Sequence, residues 1–520
     1  MQTQAHTPRR TALALATLLA LFGAAAQAAD ATSRVIIAFK PGAAASMRGA
    51  VSAAQGRVAH DIFGMDAMAI EVPTKALAGL SRNPNIQYVE EDAKRYPLAA
   101  TTPSTGTPYA TGQLVPYGIP MVQADQLPDT LAANRKLCII DSGYDRAHED
   151  LSAGSNVTGE YDSGTGWWYT DENHHGTHVA GTIAALNNAG KGVVGVHPNA
   201  QLKLHIVKVF GPEVWAYSST LATAANKCKA AGANVISMSL GGARSNKTEQ
   251  RAFDSLYSAG ILSIAAAGNA GTSAASYPAG YSSVMSVAAV DEAKAWATFS
   301  QFNSKVEIAG PGVNVLSTVP TGSGSASALT VGSTVYAPGG MDGSPRATVT
   351  APLANFGLGG SVVAGSMGGK VCLIQRGTYD FAVKVSNCQA SGGVGAVVYN
   401  NVAGGFGGSV GSGTTSIPSA TASAAEGAAL LGQLGQTATL AVTASSYAYF
   451  DGTSMATPHV SAVAALVWSR HLNCTAAQLR NSLNKSALDL GTAGRDTKFG
   501  FGLVQAKAAD DRITALGCGN

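Results

Sequence analysis

Apolar and polar positions divide this chain into stretches with different rhythms. Continuous apolar runs at Leu202–Val209, Asn234–Leu240, Ile261–Ala267 and Val284–Val290 read as strands, and Leu221–Ala231 reads as a helix between the first two. Such an alternation predicts an α/β fold, a parallel sheet with helices on both faces and its site at the strand C-terminal ends. A further apolar run, Val460–Trp468, reads as a buried helix. Upstream, Ser33–Glu91 forms a separate small unit. Its predicted strands are Arg34–Phe39, Ala67–Val72 and Ile86–Glu90, with helices over Ala43–Ala54 and Thr74–Ser81, a compact α+β pattern. The Pro/Thr/Ser-rich stretch Pro97–Pro108 reads as an exposed linker.

Between Pro320 and Tyr447 the core rhythm stops. This Gly/Ser/Thr/Ala-rich stretch holds strand-like Gly369–Gly377 and Gly395–Asn401 on either side of a helix at Asp380–Ser391. It reads as an insertion at a surface loop, which leaves the core intact.

Composition narrows the class. A length of 520 residues accommodates two to four domains. Charged residues are 12%, hydrophobic residues 46%, and glycine numbers 61, which suits a tightly packed extracellular protein with many turns. The net charge of +3, without a basic stripe, argues against a nucleic-acid partner. At the N-terminus, Arg9-Arg10 precede the apolar segment Ala12–Leu21, and Ala26-Gln27-Ala28 has the small-residue pattern of a signal-peptide cleavage site. That segment is short for a membrane span, and no other stretch supplies about 20 uninterrupted apolar residues. Secretion is therefore expected, without a membrane anchor, with cysteines free to oxidise.

Three blocks carry candidate chemistry. Lys136–Gly143 is an apolar run ending in Asp141 and a Gly-bearing turn, the way a buried parallel strand delivers a carboxylate to a sheet end. His174–Thr182 opens a helix rich in small residues with a histidine pair. Gly452–His459 places Ser454 among small residues just before the buried helix, where the helix dipole favours a nucleophile. A hydroxyl needs a base and an acid that orients it, and Asp, His and Ser follow in that order.

Together these blocks resemble the subtilisin-like (subtilase) serine peptidases, from about Gln113 to Ala508 apart from the insertion. The resemblance implies a secreted endopeptidase in which Asp141 orients the base His175, and Ser454 is the nucleophile; His174 and His178 are then structural or solvated. Ser239-Leu240-Gly241-Gly242 is similar to the family segment that pairs with an extended peptide, which points to polypeptide substrates. Ala265–Asn269 is similar to the second pocket wall and ends in the oxyanion residue Asn269. The small, uncharged walls Gly241, Gly242, Ala266, Ala267 and Gly268 imply an apolar pocket for Phe, Tyr, Leu or Met, rather than dibasic specificity. Asn303, ending Phe299–Asn303, replaces the family's usual glycine.

The same resemblance implies structural calcium (Ca2+) on the Gln113, Asp150 and Asn188 side chains and the carbonyls of Leu186 and Val193, in a loop one residue longer than usual. It also implies that residues 29–98, ending as late as about 111, are a propeptide that acts as intramolecular chaperone and inhibitor, after a signal peptide at 1–28. The catalytic domain then covers 112–320 and 448–508, interrupted at 321–447 by an insert resembling the protease-associated (PA) domain, with a tail at 509–520. A monomer is expected.

Six cysteines allow several connectivities. Grouping by domain pairs Cys372 with Cys388 in the insert and Cys474 with Cys518 at the C-terminus, which leaves Cys138 and Cys228. Gly407–Gly411 fits the nucleophile-elbow pattern of another hydrolase class, but no apolar strand precedes it, so it is set aside.

Overall fold

The computed structural model describes residues 31–98, 100–102, 113–188, 190–211, 213–401, 408–411 and 415–520. The signal-peptide segment and most of the linker lie outside them, as does Gly407 of the elbow-like motif. Among the described residues, no helix is long and apolar enough to cross a membrane.

The N-terminal unit folds as an antiparallel sheet of β1 (Thr32–Phe39), β2 (Arg57–Asp61), β3 (Ala67–Pro73) and β4 (Ile86–Glu91), in the order β2-β3-β1-β4. One face takes α1 (Ala44–Ala53), whose Met47 and Val51 pack on Ile37, Met68 and Ile70, with Leu80 of α2 (Leu77–Leu80) beside them. The sequence pattern missed β2. Its five residues, Arg-Val-Ala-His-Asp, are only half-buried and carry no strong apolar alternation. The other face packs Ile36 and Ala38 against Ala222 and Ala252 of the following domain.

Two strands follow, β5 (Lys94–Pro97) and β6 (Ala100–Thr102), and then α3 (Gly118–Met121) leads into the main domain. Its parallel strands are β7 (Lys136–Asp141) and β8 (Val157–Gly159), then, past a hairpin β9 (Tyr161–Asp162) and β10 (Gly166–Trp167) and helix α4 (His175–Ala184), β11 (Lys203–Lys208). The chain continues with a short β12 (Ala216–Tyr217), α5 (Ser218–Ala230), β13 (Val235–Met238), β14 (Leu240–Gly241), α6 (Lys247–Ser258), β15 (Leu262–Ala266), β16 (Val284–Val290), β17 (Val306–Pro311) and β18 (Val315–Thr318). Seven of these form one parallel sheet in the order β17-β16-β15-β13-β7-β11-β8. From β7 the chain first builds outward through β8 and β11, then crosses to the other side at β13. Doubly wound sheets place their sites at such a switch point.

Side chains of β7 alternate between the two faces. Leu137 and Ile139 join α4 and the later helix Thr453–Arg470 in one core, whereas Cys138 and Ile140 join α5 and α6 in the other. Cys138 is bonded there to Cys228 of α5.

The insert leaves and rejoins the core side by side, because Gly324–Val331 pairs antiparallel with Thr437–Ser445. Between them, α7 (Phe381–Ala390) and α8 (Ala424–Leu431) cover strands Val371–Gln375 and Gly395–Tyr399, and Cys372 bonds Cys388 of α7. The chain then returns through Tyr447–Asp451 into α9 (Thr453–Arg470), α10 (Ala476–Ser486) and α11 (Ala506–Leu516). Nearly all of α9 is buried, as its apolar run demands. Cys474 and Cys518 tie the start of α10 to the end of the chain.

Candidate active site

Adjacent strands β7 and β13 pair Ile139 with Ser237, so Asp141 and Ser239 stand level at the same C-terminal edge. Asp141 is fully buried, and its Oδ1 accepts from the Ser142 N–H at 2.8 Å and meets His175 Nδ1 at 2.7 Å. That contact fixes the imidazole ring and leaves His175 Nε2, which has no hydrogen-bond partner among the described residues, as the free nitrogen. Helix α4 carries His175 and packs against α9, which carries Ser454.

Ser454 occupies the second position of α9, so its N–H is one of the unpaired donors at a helix N-terminus. Four residues on, Pro458 has no N–H and cannot bond the Ser454 carbonyl. Ser239 fills that gap, its hydroxyl donating to the Ser454 carbonyl at 2.7 Å. The exchange is reciprocal, since the Ser454 hydroxyl donates to the Ser239 carbonyl at 2.8 Å. The hydroxyl therefore bonds the Ser239 carbonyl and not His175 here. Catalytic hydrogen bonds are often this loose before a transition state forms.

The two other histidines near this edge do different work. His178 is buried, stacked on Phe450 with centroids 4.2 Å apart, and its Nε2 meets the Val315 carbonyl at 2.9 Å. Burial pushes its pKa down to about 3, so it stays neutral. His174 caps α4 in a left-handed conformation, φ 74°.

The chain's own segment 94–98 lies in the cleft. β5 is a middle strand, antiparallel to β12 on one side and to β14 on the other, with Tyr96 opposite Gly241 and Pro97 opposite Leu240. The Leu98 N–H continues this ladder to the Ser239 carbonyl at 3.3 Å. The Leu98 carbonyl then accepts from Asn269 Nδ2 at 2.6 Å and from the Ser454 N–H at 3.3 Å. Asn269 Oδ1 meanwhile accepts from the Thr453 N–H and hydroxyl at 2.9 and 2.7 Å, which orients the amide. The Leu98 side chain enters the pocket beside Gly241, where a Cβ would lie only 3.0 Å from Leu98 Cδ1 and 2.3 Å from Ser276 Oγ. Ala266 at the end of β15 and the following Ala267 are buried, and Gly268 closes on Gln301, leaving no space for a Cβ. On the far side, β6 pairs with Tyr449–Asp451, and the insert strand Gly339–Asp342 runs against β6.

This corrects the exposed-linker expectation for its first residues. Pro97–Leu98 extends the ladder along Ser239–Leu240, and Ala100–Thr102 adds as an outer strand to Tyr449–Asp451, because their backbone groups complete open edges of the main domain.

Two acids of the N-terminal unit hold the neighbouring helices. Glu90 accepts from the Lys247 and Thr248 N–H groups at 2.8 Å each, at the start of α6. Asp92 accepts from the Ser219 N–H at 3.0 Å and hydroxyl at 2.7 Å, at the start of α5. Carboxylates are favoured at helix N-termini, and these are borrowed from another domain. Sequence reasoning missed both, since a cap from a distant segment leaves no local pattern.

Away from the cleft, Gln113, Asp150, Leu186, Asn188 and Val193 converge. Gln113 Nε2 contacts the Leu186 carbonyl at 2.7 Å, Asn188 Oδ1 at 3.3 Å and the Val193 carbonyl at 3.5 Å. Asp150, fully buried, accepts from Asn188 Nδ2 at 3.0 Å and the Val193 N–H at 2.8 Å, and burial pushes its pKa up to about 7. Gly192 crowds this cluster: a Cβ there would sit 2.3 Å from Asp150 Oδ2. No group of three His, Cys, Asp or Glu side chains forms a metal cluster among the described residues, and the set here is mostly neutral oxygen.

The subtilase family model matches residues 133–348 and 394–502, and the PA domain model matches residues 335–430. Subtilisin DY of Bacillus licheniformis is 42% identical over 218 residues, 40% of this chain and 76% of that protein. Subtilisin E of Bacillus subtilis is 35% identical over 327 residues, 60% of this chain and 80% of that protein. Among solved structures, the psychrophilic subtilisin-like protease Apa1 from Pseudoalteromonas sp. AS-11 superposes with a TM-score of 0.65 at 44% identity, covering 78% of this chain and all of that one.

Proposed function

Because the chain belongs to the subtilase family and is a subtilisin-like serine endopeptidase, we propose that it cuts proteins through Ser454, His175 and Asp141, and cuts itself first, between Leu98 and Ala99. The observation that carries this reading is the Leu98 carbonyl, held by both Asn269 Nδ2 and the Ser454 N–H. Those two donors face the oxygen on which negative charge develops during acyl transfer.

In the reaction, Ser454 Oγ turns from the Ser239 carbonyl and gives its proton to His175 Nε2 as it attacks the carbonyl carbon. Asp141 holds the resulting imidazolium through Nδ1. The tetrahedral oxyanion collapses to an ester on Ser454, and His175 returns the proton to the departing Ala99 nitrogen. Water, activated by His175 in turn, then releases the Leu98 carboxylate and restores the serine. Replacing Asn269 by Ala lowers kcat by about 10² to 10³, the size known for the same donor in subtilisin itself, with KM little changed. Steady-state kinetics on a short peptide measure this; a loss under fivefold counts against Asn269 as the donor.

Leu98 beside Gly241 supports an apolar preference at the primary pocket. Residues 29–98 act as a propeptide: β5 fills the cleft as a substrate would, and the Glu90 and Asp92 caps keep the unit bound after cleavage. Export through the N-terminal segment fits the three disulfides. The insert strand against β6 supports a role in limiting access of bulky substrates from that side.

The Gln113–Val193 cluster fits calcium. Its donors are amide, carbonyl and carboxylate oxygens, the set a hard cation prefers, and the Gln113 amide need only turn over to present Oε1. A bound ion supplies stability there, not chemistry. Chelation lowers the apparent Tm by about 5 °C or more, and calcium restores it. In Asp150→Asn the calcium-dependent shift disappears; its persistence in that variant counts against the site.

A further inference from the structure

Arg95, three residues before Leu98, is fully buried although it lies on the strand that fills the cleft. Its Nε donates to Glu249 Oε1 at 2.9 Å and its Nη2 to Glu249 Oε2 at 2.6 Å, a two-pronged pairing of guanidinium with carboxylate. Nη2 also meets the Arg244 carbonyl at 3.1 Å. Tyr281 Oη donates to Glu249 Oε2 at 2.7 Å, and the Glu249 backbone is fixed by Asn246 Oδ1 at 2.9 Å. The neighbouring Tyr96 side chain instead points out, 44% exposed.

Glu249 belongs to the main domain and not to the segment it binds. When residues 94–98 leave, its two oxygens and the Arg244 carbonyl remain as acceptors set for a planar cation. Without one, a buried charge stands unpaired, which is costly. We propose that the enzyme selects arginine at the fourth position upstream of the bond it cuts, with Glu249 as the specificity-determining carboxylate and Tyr281 as its positioning residue. This rests on the reading that segment 95–98 occupies the substrate subsites. Apolar selection at the first position and basic selection at the fourth then act together. Lysine fits less well, because it offers a point charge where the site presents two oxygens to a fork.

The test uses mature enzyme and coumarin amides of acetyl-Arg-Tyr-Pro-Leu and its analogues with Ala, Lys or citrulline in place of Arg. Citrulline keeps the shape and removes the charge. Arginine is expected to exceed alanine and citrulline in kcat/KM by on the order of 100-fold, the scale of a desolvated charge pair broken on one side. In Glu249→Gln that ratio collapses to within a fewfold. Equal rates for the Arg and Ala peptides in the wild type overturn the proposal without needing the variant, and an undiminished ratio in Glu249→Gln overturns the part given to that residue. Phenylmethylsulfonyl fluoride separates the two readings: release that survives it fails the assignment to Ser454, whatever the arginine ratio.

Discussion

Ser454→Ala is expected to reduce kcat by about 10⁶, the size known for the nucleophile of subtilisin itself, and to leave the chain uncut between Leu98 and Ala99. Two consequences come from one atom. Without Oγ no ester can form on any substrate, and the strand that fills the cleft has no group to attack it. The remaining donors, Asn269 Nδ2 and the residue 454 N–H, still grip the Leu98 carbonyl, so the variant accumulates as a folded precursor with its N-terminal unit attached. Intact mass and N-terminal sequencing of the secreted protein read this directly. A product beginning at Ala99 in the variant, made without added protease, would sink both the nucleophile and the self-cleavage.

The second large effect is at Asp141. Asp141→Asn is expected to lower kcat by about 10⁴, or roughly 5.5 kcal/mol of barrier, while the fold is kept. Asp141 Oδ1 takes the Ser142 N–H and His175 Nδ1, and Oδ2 is buried without a hydrogen-bond partner among the described residues. An asparagine has two ways to sit there, and both fail. With its oxygen toward His175 the ring keeps its tautomer, but no negative charge balances the imidazolium. With its NH2 toward His175 the ring must carry its proton on Nε2, where a base is needed. Single-turnover kinetics on a short peptide, with circular dichroism to verify folding, measure the effect; a loss below tenfold would remove Asp141 from its role.

Much of the fold was legible because its signals are local. Val284–Val290 is a strand with the limits its apolar run suggests, and the parallel sheet follows from the alternation around it. Asp141 ends an apolar strand and Ser454 opens an apolar helix, so a reader of the sequence meets both. The remainder depends on contacts between distant segments. Arg95 and Glu249 are separated by 154 positions, and nothing around either residue announces the other. Small, uncharged pocket walls speak against dibasic specificity, yet one buried acid on α6 binds the guanidinium of the segment in the cleft. Pro97–Leu98 resembles linker because small polar residues and proline dominate the next ten positions; its order comes from the edge offered by β14, as that of Ala100–Thr102 comes from Tyr449–Asp451.

The missing hydrogen bond at Pro458 has a mechanical meaning. In an ordinary helix the Ser454 carbonyl would be tied to the next turn of α9, and any sliding or bending of that helix would carry the nucleophile with it. Here its mooring is Ser239, at the end of β13, and Ser239 also carries the carbonyl that continues the substrate ladder. Nucleophile and peptide are thus referenced to the same rigid edge. The Ser454 carbonyl is anchored to the sheet edge at the position where Pro458 leaves it without a bond from its own helix.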